Sequence, residues 1–103
     1  MASSLEIKKN ADGENLTLEV CGRVDTITAP QLEEEIKSSL DGVTNLVFDM
    51  AGLKYISSAG LRVLLSTQKV MNRQGEMVLK NVNEDIMEIF DVTGFVDILN
   101  IEE

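Results

Sequence analysis

The sequence predicts an α/β fold: a mixed, mostly parallel central sheet of four to five strands with helices alternating along the chain. Three observations carry this prediction. The N-terminal third alternates apolar and polar residues with the period of two that a strand requires. Near the middle, Leu46-Val47-Phe48 is a run of consecutive apolar residues, the pattern of a strand buried on both faces at the centre of a sheet. Segments with helical spacing separate the later strands, and strands joined through helices pair in parallel under those helices. The 103 residues, 44% of them hydrophobic, suffice for one modest core, so residues 1–103 are read as a single domain.

Each element has its own warrant. Leu5 and Ile7 begin a strand, Asn10-Ala11-Asp12-Gly13 supplies turn residues, and Leu16, Leu18 and Val20 resume the alternation in a second strand. Thr28-Ala29-Pro30-Gln31 has the form of a capping box, with proline in the first turn, and predicts a helix start. Leu32, Ile36 and Leu40 give that helix one narrow apolar stripe, Glu33 and Lys37 form an i,i+4 pair outside it, and Asp41-Gly42 ends it. After the strand 45–50 a loop is expected over 51–56. A long helix then runs from Ser57 or Ser58 to Asn72 on the stripe Leu61, Leu64, Leu65 and Met71. Met77-Val78-Leu79 predicts another strand, Asn83 caps a short helix carrying Ile86, Ile89 and Phe90, Gly94 stops it, and 98–101 could form a final edge strand.

Composition removes several function classes. Without histidine, Ser-His and Cys-His catalysis are excluded. The single cysteine, Cys21, cannot form an internal disulfide and leaves a thiolate or imidazole metal site implausible; it is read as a small buried residue. The net charge of -9 repels nucleic acid phosphates and anionic membranes, so the expected partner is another protein. No apolar run approaches the roughly 18 residues of a membrane span, and Met1-Ala2-Ser3 opens no basic-then-apolar leader, so a soluble, cytosolic protein is expected. Neither a metal nor a cofactor is expected.

The informative stretch runs from Asp49 to Arg62, from the end of the apolar strand to the start of the long helix. Loops at the carboxyl ends of strands are where ligands and partners meet α/β sheets. Ser57 and Ser58 stand at that point. Either could act as the helix N-cap, worth about 1 kcal/mol. Ala59 and Gly60 keep bulk away from the first turn, so a large partner could reach a hydroxyl there, although Gly60 could equally serve close helix packing. Arg23 and Arg62 are read as solvated charges that could steady a phosphate, and Asp49 as a strand-end hydrogen-bonding group, since one carboxylate makes no metal site.

Asp49-Met50-Ala51-Gly52-Leu53-Lys54-Tyr55-Ile56-Ser57-Ser58-Ala59-Gly60-Leu61 resembles the signature of STAS domains, the anti-sigma factor antagonists, which typically read D-x-x-x-V-x-x-[IM]-D-S-[ST]-G-L. The segment from Gly22 to Leu32 resembles the same family's G-x-[LVI]-D-x-x-[TN]-[AS] pattern. The resemblance implies that Ser58 is the serine phosphorylated by a partner anti-sigma factor of the serine kinase type, with Ser57 as a second candidate. It places Asp25, Thr26, Thr28, Ile56, Ser57, Ala59, Gly60 and Arg62 at the partner-binding surface. It further implies a cycle in which the unmodified chain binds the anti-sigma factor and frees the sigma factor, phosphorylation dismisses it, and a serine phosphatase restores it. The chain would be substrate, not enzyme. Ser57 stands where the pattern has aspartate, and Ala59 where it has serine or threonine.

Three rival readings stay open at this level. A STAS fold could serve another complex, as a stress-signalling, chemoreceptor or lipid-transport accessory, without a phosphoswitch. A receiver-like domain using Asp49 would need an acidic pair after the first strand, where Lys8-Lys9-Asn10-Ala11 offers none. A tight nucleotide site is not expected, because the glycine-containing loops lack the Gly-Lys-[Ser/Thr] ending of a P-loop.

Overall fold

A computed structural model describes residues 4–102; Met1-Ala2-Ser3, which bore on the leader reading, and Glu103 lie outside the described residues. Five strands and three helices follow in the order β1 (Leu5–Asp12), β2 (Asn15–Val24), α1 (Ala29–Lys37), β3 (Asn45–Asp49), β4 (Leu53–Ile56), α2 (Ser58–Gln74), β5 (Glu76–Lys80) and α3 (Glu84–Thr93), with a short 3₁₀ turn at Phe95–Asp97. The sheet order is β1-β2-β3-β5, and β4 pairs with β2 beyond the end of β3. Only β1 and β2 are antiparallel. The pairings β2·β3, β2·β4 and β3·β5 are parallel, as the alternation of strands and helices predicts.

The true centre of the sheet is β2, because its ten residues are long enough to hold two parallel neighbours end to end. The apolar strand β3 is interior, but it is not covered on both faces. Leu46 and Phe48 are buried while Val47 between them stays partly exposed. The same alternation runs through β2 and β5, where Leu16, Leu18, Val20, Met77 and Leu79 join one core with Leu32, Ile36, Leu64, Met71, Ile86 and Phe90 of the helices. All three helices therefore cover one face. The opposite face presents Thr17, Glu19, Cys21, Val47, Asp49, Val78 and Lys80, partly or fully exposed. Cys21 is thus half-buried on that outer face rather than in the core, tucked beside Gly52, where an added Cβ would come within 2.6 Å of its Sγ.

Three further expectations are corrected. The loop expected over 51–56 contains β4. Its buried residues Leu53 and Ile56 are three apart, a spacing that hides the period of two. The cause is a register shift at Gly22/Arg23, where Leu53 pairs with Gly22 and Tyr55 with Arg23, so Lys54 is an extra residue that restores both apolar side chains to one face. The edge strand expected over 98–101 reduces to a single bridge between Leu79 and Ile101, since the chain first turns through the 3₁₀ segment that follows Gly94. Thr28 forms no capping box, because its hydroxyl is committed elsewhere. At the other helices the caps follow expectation: Asn83 Oδ1 accepts from Ile86 N at 3.0 Å, and Gly94 closes α3 in the left-handed conformation.

Candidate functional site

Two adjacent parallel strands release the chain side by side. Val24 and Ile56 are register partners at the carboxyl ends of β2 and β4, and Ser57 N donates to Val24 O at 2.8 Å. The loop beginning at Asp25 and the serine pair at the start of α2 consequently sit next to each other. Neither strand alone would make the site.

Asp25 organises its loop. Its Oδ1 accepts from Ile27 N and Thr28 N, both at 2.9 Å, while Thr28 Oγ1 accepts from Asp25 N at 2.9 Å and donates to Arg23 O at 2.8 Å. Ala29 N donates to Asp25 O at 2.8 Å and leads into α1. The Gln31 N–H that a capping threonine would take donates to the Thr28 carbonyl at 3.0 Å instead, and the Asp25 carboxylate holds the N–H groups just before the helix. The backbone N–H of Thr28 is the largest influence and lowers the Asp25 carboxyl; desolvation, next in size, opposes it, and the Ile27 N–H, the Thr28 hydroxyl and the Arg23 charge add to the lowering, so the group lies below its ordinary value. Arg23 stands 3.9 Å from Asp25 Oδ2 and lies over the Tyr55 ring at 4.4 Å, so it is a stacked residue and not only a solvated charge.

At α2 the two serines have separate positions. Ser57 is the extended N-cap residue, half-buried, and its Oγ accepts a long bond of 3.4 Å from Gly60 N. Ser58 is the first helical residue and is exposed. Gly60 allows the first turn to lie against the strands: a Cβ there would fall 2.6 Å from Ile56 Cγ1 and 2.7 Å from Val24 Cγ1. Its packing reading is the one the geometry fits. Ile56, Thr28 and Gly60 are buried beneath the surface, whereas Asp25, Thr26, Ser57, Ser58, Ala59 and Arg62 are exposed or partly so. Between α1 and α2, a cleft of about 230 Å³ brings Thr26, Glu33, Ala59 and Arg62 together. Asp49 lies apart from this group; its Oδ1 accepts from Ala51 N and Asn81 Nδ2, both at 3.1 Å, as a strand-end group does.

Sequence reasoning passed over Ile27. Its side chain is 85% exposed at the tip of the Asp25 turn. The available signal was the Asp-x-x-Thr spacing, which locks the backbone on both sides of position 27.

Fold and site together define a small α/β recognition domain, with a hydroxyl displayed at the start of a helix and a braced loop beside it. The chain belongs to the STAS domain family, whose pattern matches residues 5–103. It is 42% identical over 79 residues to BtrV of Bordetella bronchiseptica, a protein named for the anti-sigma factor antagonists, covering 75% of this chain and 68% of BtrV. It is 32% identical to the anti-sigma-B factor antagonist of Listeria monocytogenes, covering 99% of this chain and 90% of that protein. The solved structure of the Bacillus cell fate determinant SpoIIAA in its phosphorylated form superposes with a TM-score of 0.71 at 16% identity, covering 96% of this chain and 91% of that one.

Proposed function

We propose that this member of the anti-sigma factor antagonist family is a partner switch. Its unphosphorylated form binds an anti-sigma factor of the serine kinase type and so releases a sigma factor. Phosphorylation of Ser58 by that partner ends the binding, and a serine phosphatase restores it. The observation that carries this reading is the division between the serines: Ser58 is exposed at the first position of α2, while the Ser57 hydroxyl caps the helix. Ser57 thereby supplies the acceptor that an aspartate would supply at an N-cap, and the departure from the family pattern leaves the helix start intact.

Energetics favour a change in binding over a change in fold. A phosphate on Ser58 lies at a helix N-terminus, where the dipole and free N–H groups favour negative charge by about 0.3–2 kcal/mol. Arg62 stands one turn along α2, four residues on. Burying the same group, of about two negative charges, against a partner costs several kcal/mol of desolvation unless the partner brings a cation. Moving a binding equilibrium from 1:99 to 99:1 takes about 5.5 kcal/mol, which a single uncompensated phosphate can approach.

The test is affinity capture from lysate of the source organism with wild type, Ser58→Ala and Ser58→Asp baits, the retained proteins being identified by mass spectrometry. Wild type and Ser58→Ala should retain an ATP-binding serine kinase that Ser58→Asp loses. Retention of the same proteins by all three would replace the switch with a constitutive scaffold role.

A further inference from the structure

Ile27 is a large aliphatic side chain, 85% exposed, that contributes almost nothing to the core. Single exposed apolar residues are common and by themselves need no explanation. This one differs in how it is held. Its own N–H is bound to Asp25 Oδ1, the next N–H along is bound to the same oxygen, and Thr28, only 6% exposed, pins the loop through the Arg23 carbonyl. An apolar group on a backbone already fixed loses little further freedom when a partner closes over it. The turn also follows Val24 directly, and Val24 pairs with Ile56, two residues before Ser58.

We infer that Ile27 is the apolar anchor by which the chain seats itself in a hydrophobic pocket of its anti-sigma factor, held in position by the Asp25 turn beside Ser58. This rests on the partner-switch reading and adds to it the residue that holds the two proteins together. The turn leaves from paired strand ends that also carry polar, partly or fully exposed residues, Arg23 and Asp25 on one and Ser57 and Ser58 on the other, a setting of the kind that rims a buried contact. It also explains why Ser58 is an effective place for a phosphate. A doubly charged group next to a contact that must be dry opposes closure of that contact.

The experiment uses the full chain and the purified anti-sigma factor retained by the Ser58 baits, with binding followed by surface plasmon resonance for wild type, Ile27→Leu, Ile27→Ala and Ile27→Asp. Ile27→Ala should weaken binding by roughly ten- to hundredfold, mostly through faster dissociation. Ile27→Leu should stay within about fivefold of wild type, and Ile27→Asp should abolish detectable binding. The ratio of wild type to Ile27→Ala should be independent of salt, as an apolar contact requires. All three variants should keep the wild-type thermal midpoint.

If Ile27→Ala binds within about twofold of wild type while Ser58→Asp still loses the partner, the anchor assignment fails and the switch stands. A clearly lowered midpoint for Ile27→Ala would make Ile27 a residue of the fold and overturn the assignment in another way. If no bait retains an anti-sigma factor, the switch reading fails and the anchor falls with it.

Discussion

Asp25 and Ser57 are both backbone caps, one charged and one neutral, and they answer differently to perturbation. The Ser57 bond to Gly60 N is long at 3.4 Å, so Ser57→Ala should cost about 0.5–1 kcal/mol, at the lower end for an N-cap, as a small drop in urea midpoint. Asp25 is sensitive to pH. Its folded carboxyl titrates below its ordinary value of 3.8, so the stability it contributes is fully present above that value and is lost as pH falls through the folded pKa. Asp25→Asn keeps an acceptor oxygen but not the charge. Denaturation followed from about pH 6 down to about pH 2 should show a lower plateau and a shallower acid limb for the variant; parallel curves would mean that the charge is not what braces the turn.

At the scale of elements, the docking of α2 decides where Ser58 is displayed. Gly60→Ala puts a methyl group 2.6–2.7 Å from Ile56 and Val24 side chains, and relieving that overlap should cost about 1–3 kcal/mol in urea unfolding. Because the strain lifts the first turn, the same variant should also bind its partner more weakly while Ser58 remains chemically intact. The stops of α2 and α3 were legible in the sequence, since caps such as Asn83 and Gly94 act through their immediate neighbours, whereas α1 ends at Lys37 with Ser38 as its C-cap, short of the stop expected at Asp41-Gly42. What escaped was set by contacts distant in sequence. Strand β4 is recognisable only once Lys54 is known to sit opposite the Gly22/Arg23 shift, and Thr28 failed as a side-chain cap because its hydroxyl donates to the Arg23 carbonyl. Of the site, the serines and Asp25 were legible as a motif. Burial of Ile56 and Gly60, and exposure of Ile27, depend on which way the paired strands face.

For the molecule as a whole, the charge of -9 is spread over a domain with a radius of gyration of 12.6 Å. Its self-repulsion should be relieved by salt, so the thermal midpoint is expected to rise between about 20 mM and about 500 mM sodium chloride, where the screening length falls from well above 10 Å to below it. A midpoint that stays constant or falls would show that local ion pairs such as Glu33–Lys37 outweigh the net field.

The one-sided covering of the sheet has a further consequence. With every helix on a single face, there is one layer of core, and α2 is the longest element lying on it. A signal written on α2 by unfolding it would take the domain with it. Information of one phosphoryl group can be stored there reversibly only if the scaffold ignores the mark, and only an outside reader is then able to tell the two states apart. The bare face of the sheet lies opposite the helices, so a group attached there would have no direct contact with a mark on Ser58.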